Sequence, residues 1–127
     1  MGKIPPTRIL SDDCVVTVGE VKYNVHKNEW VDVIPVVSVS QYIAISDIQN
    51  AVSDPKRMEQ GFESLCAEIA KRLVSWNWTD LDGKPYPLPT VELIKSLSNE
   101  EVLWLLNAIM GETPGQRKNA SMPSAPS

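Results

Sequence analysis

The chain contains few residues that could perform catalytic chemistry, and they are widely separated. His26 is the only histidine, and the two cysteines are Cys14 and Cys66. A histidine, carboxylate and nucleophile arrangement built on His26 would be expected to bring a flanking motif, and none is present. We therefore interpret His26 as a polar residue at the end of a strand. A small hydrolase that uses His26 is the alternative from a different functional class.

Metal chemistry has no clearer basis in the sequence. Two distant cysteines and one histidine give no clustered set of zinc ligands, and Cys66 falls on an apolar helical stripe where a small buried side chain is usual. Asp80 and Asp82 in "DLDG" are spaced like the first two ligands of an EF-hand loop. Pro85 and Val91 then occupy the positions of its glycine and its glutamate. We predict a turn at this place, no metal, no cofactor and no enzymatic activity.

Composition and charge favour a soluble globular protein. The chain has 127 residues, of which 43% are hydrophobic and 22% are charged, and its formal net charge is -4. Its basic residues are scattered instead of forming a stripe, so we expect no nucleic-acid partner. The N-terminal residues contain no long apolar run that could serve as an export signal, and no membrane span is evident. We expect a cytoplasmic protein.

The secondary-structure elements that would position such residues begin with β-strands in the first part of the chain. The runs "CVVTV" at 14–18 and "VKYNV" at 21–25 flank Gly19-Glu20, which is typical of a hairpin. The run "EWVDVI" at 29–34 alternates again, with Val31 and Val33 on the same side. These patterns predict an antiparallel β-meander over about residues 13–35.

Two longer helices are predicted next. The first covers about residues 40–52 and stops before Pro55, because the residue preceding a proline avoids the helical region. Its apolar face would contain Val39, Tyr42, Ile43, Ile45, Ile48 and Val52. The second covers residues 58–75, where apolar side chains recur at steps of three and four. Gly61 falls within this helix at a cost of about 1 kcal/mol relative to alanine.

Two further helices are predicted near the C-terminal end. Thr90 can cap a short helix over about 90–96. Ser98 and Glu101 form a capping-box pattern that opens a helix over 98–110, and Gly111 is suited to its C-terminal end. The prediction is therefore an α+β fold, mainly helical, with a small N-terminal antiparallel β-meander followed by three to four helices. Residues 1–111 would form one domain, and the proline- and serine-rich residues 112–127 would be a disordered tail.

The tryptophans raise the question of what covers them. Trp76 and Trp78 lie within the rigid connector "SWNWTDLDGKPYPLPT", and the last helix has apolar side chains on more than one side. One alternative is that the indole rings pack on one another beneath the connector. The other is an exposed patch for a protein partner. The candidate partner-binding residues are Trp76, Trp78, Leu103, Trp104 and Met110.

Residues 73–112 resemble the tail assembly chaperones that long-tailed bacteriophages encode beside the tape-measure protein. Many of these small proteins have a helix that ends in a tryptophan, a turn similar to "DxDGKPxPLT", a short helix and a last helix. The residues that carry the resemblance are Trp76, Asp80, Asp82, Gly83, Pro85, Leu88, Pro89 and Thr90. Upstream, "NEWVDVIPVVSV" is similar to the "GEWVxVxP" element of some relatives, with Asn28 in place of the glycine.

The resemblance implies a non-enzymatic protein of the host cytoplasm that is not part of the mature virion. Such a protein binds and solubilises the tape-measure protein and helps to recruit tail-tube subunits. A homo-oligomer is left open, and no binding residue of the family is carried over. The main alternative is a structural component of the phage particle, such as a head-tail connector or a tail-terminator subunit.

Overall fold

The structure is a computed structural model, which describes residues 5–111. Antiparallel strands at the N-terminal end are followed by helices, which confirms the predicted α+β class. The predicted tail, residues 112–127, lies outside the described range. In chain order the elements are β1 (Thr7–Leu10), β2 (Val15–Val18), β3 (Val21–Asn24), β4 (Trp30–Val33), α1 (Val39–Val52), α2 (Met58–Arg72), β5 (Leu73–Trp76), α3 (Val91–Lys95) and α4 (Asn99–Met110).

The strands form two antiparallel sheets. β2 and β3 form the predicted hairpin, in which Val18 lies opposite Val21 across the Gly19-Glu20 turn. The other sheet has the order β1-β4-β5. The predicted third strand is therefore present as β4, but it pairs with β1 and β5 and not with β3. Val31 and Val33 lie on the same side of β4 and are fully buried, as their alternation predicts.

The end of α2 differs from the prediction. The helix was expected to continue to residue 75, but it ends at Arg72, and the next four residues form β5. Leu73 and Trp76 are buried in this strand, and Leu73 pairs with Val33. Extended backbone lets both side chains reach the core while the strand gains hydrogen bonds with β4. These tertiary contacts override the helical period of the sequence.

The first helix is present, but only part of its predicted apolar face is buried. Ser38 caps α1 by accepting a hydrogen bond from the Gln41 backbone N–H at 3.1 Å. Ile45 is almost fully buried, whereas Val39 and Ile43 are exposed. The prediction that all these apolar residues share a core-facing side is therefore wrong. Of the other helices, α2 makes the extensive contact with α1, and the side of α1 that carries Val39 and Ile43 is left exposed.

The two C-terminal helices confirm their predicted caps. The Thr90 hydroxyl accepts from the Leu93 backbone N–H at 3.2 Å. Ser98 and Glu101 form the capping box, and Gly111 ends α4 in the left-handed region with φ of 78°. The inner side of α4 supplies fully buried core residues, namely Leu105, Leu106 and Ile109.

Gly61 is a contact point between α1 and α2. A Cβ atom built on it would lie 2.8 Å from the Val52 backbone nitrogen and 2.9 Å from Ala51 Cβ. The backbone of α1 therefore lies closer to α2 than any larger residue at position 61 would allow. The glycine lowers the intrinsic stability of the helix, but it permits this close packing.

We predict that Gly61→Ala lowers the free energy of unfolding, although alanine favours a helix by about 1 kcal/mol. Overpacking of this kind costs about 1–3 kcal/mol, because backbone atoms must move apart. Urea denaturation followed by circular dichroism measures the change, and Gln60→Ala on the exposed side of α2 is the matched control. A Gly61→Ala variant that is more stable than the wild type would contradict the close contact.

Candidate functional site

The three tryptophans of the predicted patch are buried. Trp76, Trp78 and Trp104 are 8%, 0% and 6% exposed. They pack on one another beneath the connector, which is the first of the two alternatives drawn from the sequence. Trp104, a candidate partner residue, therefore does not contribute to an exposed patch. Of the other two candidates, Leu103 is 52% exposed and Met110 is partly buried.

Trp78 lies at the centre of this aromatic cluster. Its ring is stacked on His26 with 3.6 Å between the ring centroids, and on Trp76 with 5.0 Å. Trp104 is tilted against it at 5.8 Å, and Tyr86 from the connector stacks on Trp76 at 5.5 Å. The cluster therefore joins β5, the connector and α4 by large apolar contacts.

Each indole N–H in the cluster has a hydrogen-bond acceptor. The pairs are Trp76 with the Pro87 carbonyl at 2.9 Å, Trp78 with Ser11 Oγ at 2.8 Å, and Trp104 with Asp13 Oδ1 at 2.9 Å. Buried indoles need such partners, since an unmet donor costs free energy. The connector is also internally bonded, because Asp80 Oδ1 accepts from the backbone N–H groups of Asp82 and Lys84. This confirms the predicted turn.

His26 is the centre of a buried polar network that the sequence did not indicate. It is 1% exposed, with Nδ1 lying 2.7 Å from Glu29 Oε1 and Nε2 lying 2.6 Å from Glu101 Oε2. Each ring nitrogen therefore faces a carboxylate oxygen within hydrogen-bonding distance. The Glu29 carboxylate also accepts from the backbone N–H and the hydroxyl of Thr79. The interpretation of His26 as a simple strand-end residue is therefore wrong.

The pKa of Glu101 reflects this network. Burial disfavours its ionised form, but the hydrogen bonds from His26 and from the Ser98 backbone N–H and hydroxyl outweigh that effect. The net result is a pKa below the usual value. The carboxylate thus ties the first turn of α4 to the loop between β3 and β4.

The same geometry offers little to catalysis. Both nitrogens of His26 are occupied by carboxylates, and Trp78 covers its ring. No ring nitrogen is left to activate a hydroxyl or thiol group, so the hydrolase alternative gains no support. Cys14 and Cys66 are buried as thiols, and burial raises the pKa of Cys66 to about 11. Within residues 5–111 there is no group of three or more histidine, cysteine, aspartate or glutamate side chains that could hold a metal ion.

A second feature of the structure is an open apolar groove beside the start of α4. It has a volume of about 690 Å³ and is formed where the end of α1, the first turns of α2 and the start of α4 meet. Met58 and Leu103 are half exposed along it, at 49% and 52%. We call it the apolar groove, and its lining residues are Val52, Pro55, Met58, Glu59, Phe62, Leu65, Asn99, Val102 and Leu103.

The apolar groove was only partly predicted from the sequence. Leu103 was a candidate partner residue, whereas Met58 and Phe62 are two of the apolar side chains that recur at steps of three and four in the predicted second helix, a pattern typical of a core-facing stripe. Met58 lies at the first residue of α2, next to the turn that follows α1, where no element of the described chain covers it. The signal in the sequence was that Met58 lies at the start of the predicted helix, where neighbouring elements do not yet cover the apolar stripe.

The comparisons with known proteins assign no family. No family model, no curated protein and no solved structure matches the chain. In the described part of the chain, no helix combines the length and the apolar character needed to cross a membrane.

We predict that the fold loses stability in acid through Glu101. Because its folded-state pKa lies below the ordinary value of 4.5, ionised Glu101 stabilises the fold above that pH. This contribution is lost as the pH falls through the folded-state value. Glu101→Gln should cost about 2 kcal/mol near pH 7, as expected when hydrogen bonds to a charged group are lost, and should flatten the pH dependence below 4.5.

Denaturant unfolding at pH 7 and at pH 3.5 measures both effects. Glu20→Gln is the control, because Glu20 is exposed in the β2–β3 turn. Equal loss of stability in acid for the wild type and Glu101→Gln would show that other carboxylates govern the acid response.

Proposed function

We propose that this chain is a non-enzymatic assembly chaperone of the kind found in long-tailed phages. In this proposal it binds and solubilises the tape-measure protein in the host cytoplasm, helps to recruit tail-tube subunits, and leaves before the virion is complete. The observation that carries the proposal is the apolar groove between α2 and α4. The resemblance of residues 73–112 to tail assembly chaperones supplies the identity of the client.

The groove is suited to bind an amphipathic helix. Its walls are helices, its lining is mostly aliphatic and aromatic, and it is open along one side. Helix-in-groove recognition places apolar side chains at three- and four-residue spacing into such a surface. Met58 offers a flexible, polarisable side chain that can adapt to different apolar residues. This suits a chaperone that must hold many similar segments and release them.

The charge at the groove indicates which residues a client segment would carry. The carboxylate of Glu59 is exposed in the wall and has no ion-pair partner among residues 5–111. A lysine or arginine beside the apolar stripe of the client would complement it. The net charge of -4 also helps to keep a complex with an apolar client in solution. We therefore propose a client helix with an apolar face and a basic flank.

We predict that Leu103→Asp and Met58→Asp abolish the solubilisation of a tape-measure fragment without unfolding the chaperone. Both side chains are half exposed, so an aspartate there stays hydrated in the free protein but is desolvated beneath an apolar helix. The measurement is the soluble fraction of a co-expressed fragment from the long helical reading frame expected immediately downstream. Leu81→Asp is the matched control, since Leu81 is 83% exposed on the connector.

Two results would count against the proposal. One is undiminished rescue by both groove variants, and the other is detection of the protein in purified virions, which would favour a head-tail connector or tail-terminator component. Trp104→Asp is unsuitable for this test. Its side chain is 6% exposed and bonded to Asp13, so the substitution should unfold the protein and impair any function.

A further inference from the structure

One side of α4 is incompletely covered along its whole length. Its residues on this side recur at steps of three or four and are not buried, namely Asn99, Leu103, Asn107 and Met110. We call this side the α4 strip. Glu100 lies beside it and is bonded to Thr17 of the β2–β3 hairpin. The α4 strip therefore leads from Gly111, to which residue 112 is joined, back to the apolar groove at the start of α4.

Residues 112–127 are long enough to follow the α4 strip as far as the groove. The helix contains 12 residues, which corresponds to about 18 Å at about 1.5 Å per residue. An extended chain spans about 3.3 Å per residue, so residues 112–117 cover about 20 Å. A segment that runs back along α4 would therefore bring Lys118 and the residues after it to the apolar groove.

The residue types of this segment complement the groove. Among the described residues that line the groove, Glu59 is the only charged one, and it has no ion-pair partner within residues 5–111. The segment carries Arg117 and Lys118, and its one large apolar side chain is Met122. A basic pair close to a flexible apolar side chain thus matches a carboxylate beside an apolar surface.

The distribution of charge also favours a contact within the chain. Glu112, Arg117 and Lys118 give residues 112–127 a net charge of +1, so the total of -4 leaves -5 on residues 1–111. Charges of opposite sign attract the segment to the rest of the molecule. Lys56 and Arg57 are exposed in the turn before α2, but neither of them lines the groove.

We propose that residues 112–127 bind the apolar groove of their own chain and compete with any other occupant. Arg117 and Lys118 would face Glu59, while Met122 would pack beside Phe62. A segment joined to its site by so few residues has an effective concentration on the order of millimolar, so a weak contact is sufficient. The segment would cover the groove until a client helix displaces it. This last consequence rests on the proposed function, whereas the contact itself does not.

A second apolar surface near the end of α4 provides a control. It is joined to the helix by the Val36 backbone N–H, which donates to the Ile109 carbonyl at 2.9 Å. The residues that line it are Val36, Val37, Ser38, Val39 and Tyr42. None of these lining residues is charged, so this surface offers Arg117 and Lys118 no carboxylate. Val39 is 76% exposed there and can be substituted without disturbing the core.

Methyl NMR of the full chain tests the contact directly. With ¹³C-labelled methionine methyl groups, nuclear Overhauser effects should join Met122 to the ring of Phe62, the only phenylalanine of the chain. Glu59→Lys should weaken these effects at least threefold, because a third positive charge would then face Arg117 and Lys118. Adding Arg117→Glu and Lys118→Glu to that variant should restore them.

Val39→Asp is the matched control for this measurement, since it places a carboxylate on the neighbouring apolar surface. It should leave the Overhauser effects of Met122 unchanged. Their relative intensity should also persist over a tenfold dilution, as expected for a contact within one chain. Absence of the effects, their loss on dilution, or an equal response to Val39→Asp would overturn the proposal.

Binding of the uncharged dye Nile red to the full chain measures whether the groove is occupied. Met122→Asp should lower the dissociation constant of the dye at least threefold, because the segment then leaves the groove open. Leu103→Asp in the same chain should abolish this gain, and Met122→Leu should bind the dye as the wild type does. An unchanged affinity in Met122→Asp would overturn the proposal. Neither measurement contains a client, so failure to solubilise a tape-measure fragment would not alter its outcome.

Discussion

The rest of the structure depends on the stacking of Trp78 against a histidine whose two nitrogens are bound by carboxylates. The ring contact brings together the loop before β4 and the connector after β5, while Glu101 adds the first turn of α4. Buried charges are costly unless every donor and acceptor is satisfied, and each member of this network has partners. Glu29 is held by Thr79, so neither of the carboxylates that flank His26 relies on the histidine alone. The contact therefore specifies one arrangement of the three segments.

That arrangement explains why the connector is rigid. Its prolines lead the chain over the aromatic cluster, where Tyr86 stacks on Trp76 and the Pro87 carbonyl accepts a hydrogen bond from the Trp76 N–H. α4 is then fixed with Leu105 and its inner neighbours in the core, and Leu103 remains outside. The surface available to a partner is thus defined by the packing of the tryptophans and does not include them.

Local signals in the sequence were sufficient for some elements and not for others. The Ser98 hydroxyl and the Gly111 backbone form hydrogen bonds with groups only three residues away in the chain. The limits of α4 could therefore be predicted from residue types and spacing. The same holds for the β2–β3 turn. The partners of β4 could not be predicted, because β1 and β5 come from distant parts of the chain and β5 lies within a helical period. Non-local pairing of this kind leaves no periodic trace.

The candidate site, too, could be predicted only where the signal in the sequence is local. Leu103 could be identified because the last helix has more apolar residues than one face can bury, but the sequence could not tell which of them remain outside. Glu101 was predicted from its capping box, yet its second role requires His26, which lies 75 residues away. Trp104 was misjudged because its acceptor, Asp13, precedes β2 and lies 91 residues away. Residues that a tertiary contact satisfies cannot be distinguished by type from those that await a partner.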